Sequence, residues 1–470
     1  MRVSLRKRKS KNDKNKIFEF TKAKLLGLKI KDFVVSNKKQ DLKMPSINLN
    51  HICKVEGHGS LHVEIKGSKL IKCKLGTVEG ARFFEGIVKG KRHDDVQEIT
   101  SRICGICSCA HTVASLQALE NAMGVKVSEQ TRRLRELLSI GERIRSHATH
   151  LYFLALPDYL GYESALAMVS KYKKEVLRAL HLIKLGNNMV QRIGGKEMHP
   201  FTSVIGGFTH VPDKKTVKYL QAELKKALPE AISTAKLFLK LKQPKFEAEK
   251  DYLALNPEKD SPLISGDLIS LSSLNIKPAE YDKFIDEEVM PYSTAKFSKL
   301  NGKLFCVGSL ARINTNYDKL SPTAKQLFKQ AKLELPIHNP YYNNLMQAIE
   351  LVHWVERGYA LLDYDFRFEG LPKVKARRGR GVSAVEAPRG ILFHDYTINE
   401  KGVVEKCNII TPTAQNLRAI EDDVRLLIEQ MLKQKKKKYK IILEVEKLIR
   451  AYDPCFSCSA HFLKVKWVKK

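Results

Sequence analysis

Two Cys-x-x-Cys pairs constrain this chain more than anything else in it: "RICGICSCAH" (Arg102–His111) towards the start and "DPCFSCSAH" (Asp453–His461) almost at the end. Thiols at i and i+3 can close on one metal ion, but two sulfurs rarely satisfy a soft cation that prefers four. No other cysteines in the sequence share that spacing, so each pair needs the other, and the fold must bring opposite ends of a 470-residue chain to one point. Zinc ribbons close their second pair within about 15–20 residues; here the pairs frame a whole domain. Gly105 lets the backbone turn tightly around whatever the sulfurs hold. A four-sulfur site suits structural zinc, an iron–sulfur cluster or another soft transition metal, and softness by itself favours zinc.

Composition narrows the setting. With 43% hydrophobic and 8% aromatic residues the chain can bury a large core. Nine scattered cysteines fit metal or redox use in a reducing compartment better than a disulfide framework, so a cytoplasmic protein is expected. The basic start lacks an apolar run, and no stretch is long and apolar enough to span a membrane. A net charge of +32 invites an anionic partner such as nucleic acid. Lysine is nevertheless spread along the chain, with runs only at the N-terminus and in "KQKKKKYK" (Lys433–Lys440). That pattern reads as solvated surface, and no nucleic-acid-binding signature accompanies it. A basic zinc protein that touches nucleic acid through its thiolate site is the alternative reading.

The expected fold class is α+β and predominantly helical: one large domain, a long-helix bundle core and short peripheral sheets and hairpins. Residues 1–45 read as a loosely ordered basic extension, 46–461 as the domain and 462–470 as a tail. "LHVEIKGSKLIKCKLGTV" (Leu61–Val78) alternates around a Lys-Gly-Ser turn and predicts a hairpin; a second is predicted with its turn at Glu400–Gly402. Leu134, Leu137, Leu138, Ile144, Ala148, Leu151 and Ala155 trace one helical stripe. Further helices are expected over 163–191, closed by Gly194 and Gly195, over 214–241 with a kink at Pro229, and from the Asn339 cap and Pro340 through Leu362.

The two cysteine segments together resemble the paired signatures of the nickel-iron hydrogenase large subunit, RxCGxCxxxH and DPCxxCxxH. The resemblance runs from about Ile47 to His461 through "KVEGHG", "RFFEGIVKGK", "HPFTSVIGGF", "STAKFS", "VGSLARIN" and "EAPRGILFHDY". It implies that Cys104, Cys107, Cys455 and Cys458 bind nickel, with Cys107 and Cys458 also bridging to an iron that carries carbon monoxide and cyanide. Cys455 would be the first proton acceptor and Glu56 the relay. Arg389 would stand over the metals, oriented by Asp453, and Pro388, Pro412 and Thr413 would line the cyanide pocket. Glu85, the Ile409 carbonyl and His461 would hold a magnesium or iron ion near the C-terminus. Outside this motif context Glu56, Glu85 and Arg389 read as ordinary surface or strand-end residues.

The resemblance further implies an iron–sulfur-bearing small subunit, because Cys53, Cys73, Cys109, Cys306 and Cys407 show no cluster-binding spacing. The style is that of the cytosolic multisubunit group, often archaeal, which reaches NAD(P) through flavin subunits. A maturation endopeptidase that cuts after His461 belongs to the same picture. A proton-pumping relative sharing the fold would lack the four cysteines. Three departures stand out: Lys54 replaces the usual arginine before "xEGH", Ser146 stands where some relatives have aspartate, and Cys109 has no role in the pattern.

Overall fold

The computed structural model describes residues 46–67, 69–80, 82–256 and 263–460. The expected N-terminal arm, His461 and the tail lie outside the described residues, and the account concerns the unit beginning at Asn48.

The predicted hairpin forms from β1 (Gly59–Lys66) and β2 (Lys69–Thr77), antiparallel, with Gly67 at φ 64° in the turn. The short helix α1 (Phe84–Val88) carries Glu85. α2 (Ser108–Met123) begins directly after Cys107, and α3 (Glu129–Thr149) is capped by the Ser128 hydroxyl, which accepts from Thr131 N. All seven residues of the predicted stripe are buried. α3 runs on into a π-helical segment, His150–Ala155, which the heptad-like spacing did not announce.

α4 (Lys173–Gly194) packs along α3. Contact is so close that a Cβ on Gly186 would lie 2.4 Å from the Gly141 carbonyl oxygen. The helix expected over 163–191 is instead two elements, a short turn at Ala165–Met168 and α4, and Gly195 closes α4 at φ 85°. α5 (Lys214–Leu239) continues through Pro229 as one element. The Asn339 side chain accepts from Tyr341 N and opens a 3-10 turn at Pro340–Tyr342, which leads into α7. Here α6 is Ser309–Asn316 and α7 is Asn343–Leu361. α7 packs against both α3 and α5 to complete the helical core.

A sheet in the middle of the chain went unread in the sequence. β3 (Asp251–Asn256) pairs antiparallel with β4 (Asp267–Ser270), while β5 (Ile285–Val289) and β6 (Lys296–Leu300) form a separate ribbon. β7 (Phe305–Cys306) adds to β3 in parallel. The second predicted hairpin is β9 (Gly390–Ile398) with β10 (Val404–Ile410), joined by an unpredicted partner, β8 (Gly379–Ala387). This three-stranded sheet lies against α2, and its inner strands are buried. α8 (Pro412–Lys433), α9 (Lys438–Ala451) and α10 (Phe456–Ser459) then return the chain to the start of α2.

Candidate metal centre

Four elements meet where α10 approaches the loop before α2. Cys104 and Cys107 come from that loop, Cys455 and Cys458 from the start and body of α10, and the four sulfurs all lie within 4.8 Å of one another, buried. Cys104 Sγ is 3.6 Å from Cys455 Sγ, Cys107 Sγ is 3.2 Å from Cys458 Sγ, and the Cys455 and Cys458 sulfurs touch. A single ion can reach every sulfur of such a set, and the donor type suits a soft or borderline metal. Cys107 is pushed well above the usual thiol range, first by its hydrogen bond with Cys104 and then by burial, while the same bond lowers Cys104. The pair thus holds one proton between two sulfurs, and a metal would displace it.

The "VEGH" segment is stitched to this quartet. Glu56 forms an isolated parallel bridge with Cys455, and Phe456 N donates to the Glu56 carbonyl at 2.9 Å. Its carboxylate accepts from Cys455 Sγ at 2.9 Å and from Ser457 N at 3.2 Å, both on Oε2, and from the Ser457 hydroxyl on Oε1. Gly57 makes this approach feasible: at φ 77° it sits where a Cβ would lie 2.5 Å from Ser457 N. Lys54 and Arg450 grip Asp158 from two sides, and Arg450 Nε donates to the Cys53 carbonyl at 2.9 Å. The single ammonium at position 54 is thereby supplemented by a guanidinium from α9.

Above the sulfurs, the turn between β8 and β9 presents Pro388 and Arg389. Arg389 Nε donates to the Asp453 carbonyl at 2.7 Å, Nη2 to Asp453 Oδ1 at 2.9 Å, and Nη1 lies 3.5 Å from Ser146 Oγ. Burial opposes the guanidinium charge, but Asp453 and the cysteine sulfurs more than offset it and hold Arg389 above its ordinary range. Asp453 adopts φ 50°, a left-handed conformation that aims both its carbonyl and its carboxylate at one arginine, and Gln347 Nε2 donates to its other oxygen at 3.0 Å. Ser146 therefore does occupy the place over the site where the sequence comparison put it.

A small enclosed cavity adjoins the sulfurs, walled by Pro388, Arg389, Leu392, Pro412 and Thr413 together with His111. Thr413 Oγ1 accepts from Cys455 N at 2.9 Å, which leaves its own hydroxyl hydrogen for a ligand in that space. An apolar wall with one guanidinium and one hydroxyl fits small diatomic ligands on a metal beside Cys107 and Cys458.

The expected hard-cation site is only partly within view. Glu85 and Ile409 do meet, but through the Ile409 amide, which donates to Glu85 Oε1 at 3.0 Å. Lys296 Nζ stands 3.4 Å from the same oxygen and reaches Glu287 and Asn408. Burial raises Glu287, and Lys296 opposes that rise. An oxygen-rich pocket of this kind suits magnesium in donor chemistry; His461 lies outside the described residues.

Sequence reasoning missed four contributors. Ser457 is an unremarked spacer in the second Cys-x-x-Cys pair, and His150 holds Gln347 and the Arg450 carbonyl from the π segment. Glu142, fully buried, accepts from Cys109 N at 2.6 Å and Ala110 N at 3.1 Å, capping α2 just beyond Cys107. The Cys109 thiol lies against this carboxylate, and burial first, then Glu142, hold it far above the usual thiol range. Arg312 donates to the Pro388 carbonyl at 3.1 Å while paired with Glu350 and Glu386, so it buttresses the Arg389 turn. Long-range partners of this sort leave no local pattern.

A family model described as nickel-dependent hydrogenase matches residues 82–175 and 273–461. The chain is 41% identical to sulfhydrogenase 1 subunit alpha of Pyrococcus furiosus over 91% of its length and all of that protein. It is 28% identical to the NAD-reducing hydrogenase HoxS subunit beta of Cupriavidus necator, over 88% of this chain and 94% of that protein. Among solved structures, an NAD+-reducing [NiFe]-hydrogenase in its H2-reduced state superposes with a TM-score of 0.80 at 23% identity, covering 88% of this chain and 99% of that one.

Proposed function

We propose a function from one premise: this chain belongs to the nickel-dependent hydrogenase family, as a large subunit, and is an oxidoreductase acting on hydrogen. The finer reading is reversible heterolytic cleavage of H2 at a nickel–iron pair held by Cys104, Cys107, Cys455 and Cys458. The observation that carries it is the convergence of those four sulfurs with the Glu56 carboxylate 2.9 Å from Cys455 Sγ.

When bound, the metal pair supplies the Lewis acid at which hydrogen splits. The chain's own residues supply the base. Cys455 accepts the proton as a thiolate, and Glu56, already within hydrogen-bonding distance, takes it onward, with Ser457 holding the carboxylate in place. Arg389 keeps a fixed positive charge over the site and Asp453 fixes its fork. Cys107 and Cys458 are assigned as the sulfurs shared with iron, and Pro388, Pro412 and Thr413 as the pocket for its carbon monoxide and cyanide. Glu85, the Ile409 carbonyl and His461 are assigned to a magnesium or iron ion.

Electrons need a path out of a buried centre. A partner subunit with iron–sulfur clusters is inferred, with flavin subunits and NAD(P) beyond it, supported by relatives named as alpha or beta subunits and by one named NAD-reducing. No described helix is long and apolar enough to cross a membrane, and a cytoplasmic site of action is part of the proposal. Residues 462–470 are inferred to be removed on maturation. A structural zinc site serving nucleic-acid binding does not account for Glu56, Arg389 and the enclosed cavity.

The experiment is hydrogen-dependent dye reduction by the purified complex, with metal analysis and infrared spectroscopy on the same sample. Activity, nickel, iron and the stretching bands of carbonyl and cyanide are expected together. Zinc alone in an inactive protein would refute the reading.

A further inference from the structure

We propose that Tyr396 is a positioning residue of the metal centre: through His394 it fixes which ring nitrogen of His111 carries hydrogen, so that His111 presents an N–H donor to the sulfur-lined cavity. The inference rests on the nickel–iron reading above.

His111 closes the first cysteine motif, and its ring lines the cavity with Cys107 and Cys458. Its Nδ1 is 3.1 Å from His394 Nε2, with the rings edge to face at 5.3 Å. His394 Nδ1 is in turn 2.5 Å from the Tyr396 hydroxyl, which also lies 3.3 Å from Ser115 Oγ. All four side chains are buried, carried by α2 and β9 in the stretch where helix and sheet are packed together. Burial holds the Tyr396 phenol far above its ordinary range, so it keeps its hydrogen.

A neutral imidazole donates from one nitrogen and accepts at the other. The chain of contacts therefore has two self-consistent settings. With the phenol donating to His394 Nδ1, His394 carries hydrogen on Nε2 and donates it to His111 Nδ1, and His111 bears its own hydrogen on Nε2. With the phenol donating to Ser115, every step reverses and His111 Nε2 is bare. Distance selects the first setting, since 2.5 Å is a close O–H···N contact and 3.3 Å is long for two hydroxyls. The cavity selects it too: cysteine sulfurs bind metal as thiolates, which accept hydrogen bonds and offer none. A donor held against such a sulfur withdraws electron density from the metal, as outer partners of metal ligands do generally. Tyr396 thus acts two residues removed from the centre, and Ser115 serves only to fill the phenol oxygen.

The test uses the metal-loaded complex and three proteins: wild type, Tyr396→Phe and Ser115→Ala. Tyr396→Phe keeps shape and removes the one hydroxyl, so nickel and iron contents should stay at wild-type levels while the carbonyl and cyanide bands shift. Ser115→Ala leaves the His394 contact intact, and its bands should coincide with wild type. Unmoved bands in Tyr396→Phe would overturn the inference, as would metal loss in that variant or an equal shift in Ser115→Ala. Absence of bands from wild type is a different failure, that of the nickel–iron reading itself.

Discussion

Cys455 Sγ and Glu56 Oε2 are 2.9 Å apart, and three donors from residues 455–457 converge on that one carboxylate. A proton leaving Cys455 has no nearer carboxylate base in the printed geometry of the site, so the side chain at position 56 decides whether it can leave. Glu56→Gln preserves size and much of the hydrogen bonding but removes the base. Hydrogen-dependent dye reduction should fall by about 10²–10⁴-fold, with nickel and iron contents unchanged. Retained activity would move the relay elsewhere. At this scale the sequence was legible wherever a short motif spelled out the residue: the four cysteines, Glu56, Arg389 and Asp453 come together as expected. Ser457, Glu142 and Arg312 were not legible, because their roles depend on partners tens or hundreds of positions away.

Among the elements, α3 contributes most, presenting Glu142, Arg143, Arg145, Ser146 and His147 from consecutive turns, all buried. Its apolar stripe was readable from 3.6-residue periodicity; its polar face was not, since buried charges look like solvated ones until their partners are known. The strands from β3 to β7 escaped reading for another reason: several span only two to five residues, too few for alternation to register. Asp158 shows how an element is tied to the site. It holds Lys54 of the Glu56 segment and Arg450 of α9, and Asp158→Ala would strand a buried arginine. A loss of about 3–5 kcal/mol is expected, read as a lower urea midpoint with unchanged slope. α7 carries a pH-sensitive group: burial lowers the His353 imidazole to about 4 from its ordinary 6.5, and its Nδ1 accepts from Ser321 N at 3.0 Å. Between those values the unfolded chain binds a proton that the folded one refuses. Stability is therefore full above the ordinary imidazole value and falls as pH drops toward 4, by up to about 1.4 kcal/mol per unit. In His353→Asn, which keeps an acceptor for Ser321, the acid limb of urea midpoint against pH should be shallower. An identical limb would exclude His353 as its source.

At the scale of the whole molecule, the fold closes one ring of structure: α2 near the start and α10 near the end each deliver two sulfurs, and the sheet β8–β10 delivers the arginine above them. Metal binding then links distant parts of the chain, so folding and loading are one equilibrium. The central claim is that this quartet holds nickel through all four sulfurs. X-ray absorption at the nickel edge of the purified complex addresses it without reference to turnover. The account predicts a nickel first shell dominated by sulfur, diminished in Cys104→Ser. A shell of nitrogen and oxygen, or a quartet filled by zinc with no nickel present, would contradict it.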